Sequence, residues 1–112
     1  MSKVNLTLMI DKSHESDEIQ KIIEILLAIN NTIDSKTDVV WTRYDRPEQL
    51  SNDLKKYIEK LESGDYTILA TLNHLFGPTG TFQELSISNG WGEEFLNIAE
   101  QFDHYYAKFL SK

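Results

Sequence analysis

An α/β fold, a two-layer sandwich with element order β-α-β-α-β-β-α, is what this sequence predicts, and three observations point there. Val4, Leu6, Leu8 and Ile10 alternate with Asn5, Thr7 and Met9, the period-two pattern of a half-buried strand. Two strand-like runs are each followed by apolar residues at three- and four-residue steps, and repeated strand-helix units favour a layered α/β arrangement. A Gly/Pro turn, GPTG at 77–80, separates two further short runs, as in a hairpin. Helices should then lie mainly on one face of a four-stranded mixed sheet.

The first strand covers Val4 to Ile10. From Ser16, an N-cap followed by Asp17 and Glu18 in the first turn, Ile19, Ile22, Ile23, Leu26, Leu27 and Ile33 carry the spacing of an amphipathic helix ending near Asn30. DVVWTRY, 38–44, is rich in β-branched and aromatic residues and reads as strand two. Asp45 and Glu48 are placed to form a capping box, with Pro47 in the first turn where its missing N–H costs nothing. Leu50, Leu54, Tyr57, Ile58 and Leu61 mark the second helix, and Gly64 fits its C-terminal stop. Residues 65–76 read as strand three and 81–88 as strand four, antiparallel to it. After Asn89 and Gly90, Trp91, Phe95, Ile98, Phe102 and Phe109 recur at helical steps to about Leu110. In strand four, Leu85 and Ile87 should face the core, leaving Phe82 and Glu84 displayed on an open sheet face.

With 112 residues, 40% hydrophobic and 26% charged, and no repeat or linker, the whole chain, 1–112, is expected to be one globular domain. It has no cysteine, which removes disulfides, thiolate metal sites and thiol redox chemistry. The first residues are too polar for a signal peptide and no stretch approaches a membrane span, so a cytoplasmic location is expected. The net charge of -7 comes from 18 acids and 11 bases, and it is unevenly spread. Residues 61–107 contain no Lys or Arg but hold Glu62, Asp65, Glu84, Glu93, Glu94, Glu100 and Asp103. Such a field repels phosphates, whose neutralisation by Lys and Arg supplies most nucleic-acid affinity, and attracts a basic protein.

No chemical signature stands out. His14, His74 and His104 lack metal-ligand spacing. His74 and Glu84 flank the GPTG turn at comparable distance and could face each other as an acid-base pair, although a solvated cross-strand pair explains them as well. Glu84, Glu93 and Glu94 are hard oxygen donors for a divalent cation, yet acids in a first helical turn are expected from the helix dipole alone. GPTG and NGWG lack the Lys and the strand-to-helix context of phosphate-binding loops, and no hydrolase signature is present. Catalytic residues, metal ligands and cofactors are therefore not assigned. Phe95, Phe102 and Phe109 read as core, whereas Trp41, Phe82, Trp91, Tyr105 and Tyr106 exceed what one buried stripe uses, and such residues anchor interfaces where they surface.

The segment GPTGTFQELSISNGWGEEFLNIAEQFD, 77–103, within a short, acidic, Cys-free chain, resembles the immunity proteins of bacterial polymorphic toxin systems, including contact-dependent growth inhibition. That resemblance implies a cytoplasmic, non-enzymatic protein that binds a cognate toxin domain, commonly a basic nuclease, and blocks it. It carries over no individual residue. Charge and aromatic content select the expected contact set: Glu84, Glu93, Glu94, Glu100 and Asp103 to match toxin Lys and Arg, with Phe82, Trp91, Tyr105 and Tyr106 as the desolvated centre. The chain alone is expected to be a monomer or a weak dimer. Two other readings stay open: a small adaptor or regulatory domain that dimerises or binds through its open sheet face, and a small enzyme or metal-binding protein around His74 and Glu84.

Overall fold

A computed structural model describes residues 17–111 of the chain, and among them there are five helices and no strand. In chain order these are α1 (Asp17–Asn31), α2 (Pro47–Glu62), α3 (Ile68–Phe76), α4 (Thr81–Ser88) and α5 (Gly92–Leu110). The α/β sandwich expected above is therefore corrected to an all-helical fold. The strand expected at Val4 to Ile10 lies outside the described residues.

The three long helices form where their apolar spacing requires them. α1 buries Ile19, Ile22, Ile23, Leu26 and Ile29, α2 buries Leu50, Leu54, Tyr57, Ile58 and Leu61, and α5 buries Phe95 and Phe102 with Ile98, Tyr105, Tyr106 and Phe109 packed beside them. Pro47 opens α2, but its cap lies one residue later than expected. Arg46 is the N-cap, and the Gln49 side-chain oxygen accepts the backbone N–H groups of Asp45 and Arg46 at 2.9 and 3.2 Å, in place of an Asp45/Glu48 box.

α2 and α4 end in the same way. The Asp65 N–H reaches the Lys60 carbonyl at 2.8 Å and the Gly64 N–H that of Leu61 at 3.2 Å; in α4 the Trp91 N–H reaches Ser86 at 2.9 Å and the Gly90 N–H reaches Ile87 at 3.4 Å. This double closure turns the chain through a left-handed residue, and Gly64 (φ 89°) and Gly90 (φ 83°) take that conformation without a Cβ penalty.

The expected strands three and four are the helices α3 and α4. In α3 Leu69, Leu72 and Phe76 fall on one buried face at steps of three and four. In α4 the pair Phe82 and Leu85 is buried together. A strand places residues an odd number apart on opposite faces, whereas a helix places i and i+3 on the same one. That difference reverses the expected orientation: Phe82 is fully buried, Ile87 is 60% exposed, and Glu84 is half-buried. GPTG still reverses the chain, but between helices. A Cβ at Gly80 would stand 2.5 Å from the His74 carbonyl oxygen and 2.6 Å from that of Leu75, so only glycine allows α4 to start this close to the end of α3.

The expected strand two, 38–44, is an ordered loop of turns. Val39 is buried and holds it to the core, while Val40 and Trp41 point outward. Its β-branched, aromatic composition resembles a strand, but no neighbouring strand exists among the described residues to satisfy its backbone. Turns and side chains do so instead. The Thr42 N–H and hydroxyl both donate to the Val39 carbonyl, at 2.9 and 2.7 Å.

α1 packs against α5 and α2, α3 bridges α2 and α5, and α4 lies against α3 and α5. A single apolar core joins all five helices. Its centre is aromatic: Phe76 stacks on Phe102 with ring centroids 4.4 Å apart and meets Phe82 edge-on at 4.8 Å, geometries that add to area burial. None of these helices is long and apolar enough to cross a membrane.

Candidate interaction surface

The candidate surface starts from α5. One side of this helix must carry the aromatic stripe into the core, which leaves two flanks and an outer face to water. Glu93, Leu96, Glu100 and Asp103 recur at three- and four-residue steps and are all exposed; Leu96 is 62% exposed, and Leu110 continues the same row at 63%. This row is a line of carboxylates around an apolar residue. Glu94 is elsewhere: one residue from Glu93, it is turned by roughly 100° about the axis. It falls in the row of Ile98, Gln101 and Tyr105, the residues that face α1 across a shallow groove of about 230 Å³ also lined by Lys21, Glu24, Ile25 and Ala28. Glu84 belongs to α4. Of the four expected carboxylates on α5, Glu93, Glu100 and Asp103 thus share one helix face and Glu94 does not.

Electrostatically this row is uncompensated. The ion pairs among the described residues join Lys21 to Glu24 at 3.9 Å, Arg43 to Asp53 at 3.6 Å and Lys60 to Asp65 at 3.7 Å. None involves Glu84, Glu93, Glu94, Glu100 or Asp103. Between Lys60 and Lys108 the sequence has no Lys or Arg, so α3, α4 and α5 before Lys108 supply no cation of their own to this row. Among the described residues Asp65 is held differently: Thr67 donates to it from its hydroxyl and its N–H, and this with Lys60 keeps its carboxyl below the ordinary aspartate range.

The expected aromatic centre is not where the sequence suggested. Phe82 is fully buried and is removed from any contact set. Trp91, Tyr105 and Tyr106 are half-buried: Trp91 leans edge-on against Phe95 at 6.3 Å, Tyr106 lies on Phe102 at 5.5 Å, and Tyr105 lines the α1 groove. Their accessible edges are rims, while their bodies seal the core. His74 is exposed on α3 and Glu84 is half-buried on α4, and neither lines the groove described above. The hairpin that would have set them opposite each other is absent. Among the described residues no group of three or more His, Asp or Glu is placed to hold a metal ion.

The large apolar side chains that reach solvent among the described residues are Trp41 at 71% and Val40 at 67%, then Leu110, Leu96 and Ile87, and to a lesser extent Leu27 of α1, which was expected on the buried face. Sequence reasoning left Val40, Leu96 and Leu110 out of the contact set, and Trp41 was singled out only as surplus to one stripe. Helical spacing signals Leu96, since it falls midway between Glu93 and Glu100. Val40 and Trp41 sit in a turn that is tied to the fold at Asp38 by Asn89, a residue 51 positions away.

No family model, curated protein or solved structure matches this chain.

Proposed function

We propose that this chain is a binding protein that docks a basic protein domain and blocks it, the role implied by its resemblance to toxin-system immunity proteins. The observation that carries this reading is the row Glu93, Glu100 and Asp103, solvent-exposed and, among the described residues, without ion-pair partners, on a helix that has no Lys or Arg before Lys108. A nuclease must present cationic groups to hold phosphates, and carboxylates held on a rigid helix can occupy those positions instead. The same charge sign disfavours direct nucleic-acid binding. A cytoplasmic setting fits a Cys-free chain that meets its partner in the cell interior. The adaptor reading that depended on an open sheet face loses its premise, since the described residues contain no sheet.

The test is co-expression with the product of the adjoining reading frame. Rescue from its toxicity and one-to-one co-purification at moderate salt are expected, and the variant E93K/E100K/D103K should associate about tenfold more slowly at low salt while unfolding at the same urea concentration. If no rescue occurs and no basic partner is retained, the inhibitor reading is overturned. Unchanged association kinetics would remove this row from the interface.

A further inference from the structure

The turn at Val40 and Trp41 is built to hold still while displaying its side chains. Asn89, at the end of α4, clamps it from 51 residues away: its amide oxygen accepts the Asp38 N–H at 2.8 Å, and its amide nitrogen donates to the carbonyls of Asp38 at 2.9 Å and Leu85 at 2.8 Å. The Asp38 carboxylate accepts the Val40 N–H at 2.9 Å. Downstream, the Thr42 hydroxyl accepts the Tyr44 N–H at 3.1 Å, and the Tyr44 hydroxyl donates to Asp53 on α2 at 2.6 Å. A backbone fixed at both ends thus carries the most exposed large apolar side chain among the described residues. Fixing a backbone beforehand removes an ordering cost from binding, and Trp is among the side chains that dominate interfaces.

The same clamp ties the turn to Asn89, in the short segment that leads from α4 into the acidic helix. Asn89 is four residues before Glu93, and the exposed Ile87 side chain lies against the first turn of α5, 3.5 Å from where a Cβ of Gly92 would stand. Segment 32–46 contains three acids and three bases, so it does not oppose a cationic partner. We infer that Val40, Trp41 and Ile87 form the apolar anchor of the interface whose charged part is the α5 row, and that its partner is a protein surface with an apolar cleft ringed by Lys and Arg. This rests on the reading given under Proposed function and adds to it the chemistry that slows dissociation.

The experiment uses the whole chain and two synthetic probes: a short amphipathic peptide of Lys and Leu, and a control with every Leu replaced by Ser. The chain has two tryptophans, so the indole N–H resonances report each separately. The Lys/Leu peptide should shift the Trp41 signal and leave Trp91 in place. W41A should weaken its binding about thirtyfold, mainly through faster dissociation. N89A, which removes no apolar contact group, should weaken it about fivefold by loosening the turn. The Lys/Ser peptide should bind more weakly and respond to E93K/E100K/D103K but not to W41A. Equal binding of the two peptides, or Lys/Leu binding untouched by W41A, overturns the anchor and leaves the acidic row standing. Loss of binding in W41A with none in the charge-reversed variant keeps the anchor and overturns the acidic row. Failure of both peptides to bind overturns both.

Discussion

The two tryptophans sit in contrasting surroundings although Asn89 ties their neighbourhoods together. Trp91 caps the start of α5, packs against Phe95 and joins the aromatic wall of Phe76, Phe82 and Phe102. Trp41 stands 71% exposed on a turn whose backbone, rather than its ring, is what the fold holds. The first ring stabilises the protein by what it covers. The second has apolar surface still to be covered, and burial of such a ring is worth about 25 cal/mol per Å² removed from water. Similar residues thus divide between folding and recognition according to which part of the residue the structure fixes.

That contrast can be broken most severely at the wall itself. F102A removes a fully buried ring stacked between Phe76 and Tyr106 and should lower unfolding free energy by about 3–5 kcal/mol in urea titration, a large share of a domain's total. W91A should cost about 2 kcal/mol, less than a full core truncation because one side of the ring faces water. A smaller effect is expected from Y44F, which cuts the link from the Trp41 turn to Asp53 and should cost about 1 kcal/mol at neutral pH. Its sign with pH is specific. Burial first, and the hydrogen bond to Asp53 second, hold the Tyr44 phenol neutral and raise its pKa above the ordinary value. The stability gained is complete below about pH 10, where an unfolded tyrosine is still protonated, and is lost as pH rises beyond it. Urea midpoints of wild type and Y44F should therefore converge in alkaline solution. W41A should change stability by less than about 0.5 kcal/mol, as expected of an exposed position; a loss comparable to that of W91A would erase the distinction between the two rings.

Legibility in the sequence followed element length. α1, α2 and α5 repeat their apolar spacing over several turns, so period 3.6 has no rival there. α3 and α4 have 9 and 8 residues, about two turns each, and over so short a span Leu85 and Ile87 satisfy alternation as readily as Phe82 and Leu85 satisfy a helical step. Gly and Pro at 77–80 mark a reversal without saying what they join. The site inherits that division. Charge selected Glu93, Glu94, Glu100 and Asp103 together, and helix periodicity separates Glu94 from the exposed face the other three share, whereas Phe82 was misplaced because its face depends on whether its segment is strand or helix. The ordered turn at Trp41 was not legible, since its decisive partner is distant in the chain and Asn89 followed by glycine reads only as a break.

The clamp at position 89 has an asymmetry with its own consequence. Its nitrogen donates to two carbonyls while its oxygen accepts one N–H, so replacing that nitrogen by oxygen, as in N89D, would change almost nothing in size and turn two attractions into lone-pair repulsions. The conformation of the displayed turn thus hangs on a single amide nitrogen, whose exchange for oxygen should loosen the loop while leaving the aromatic core in place.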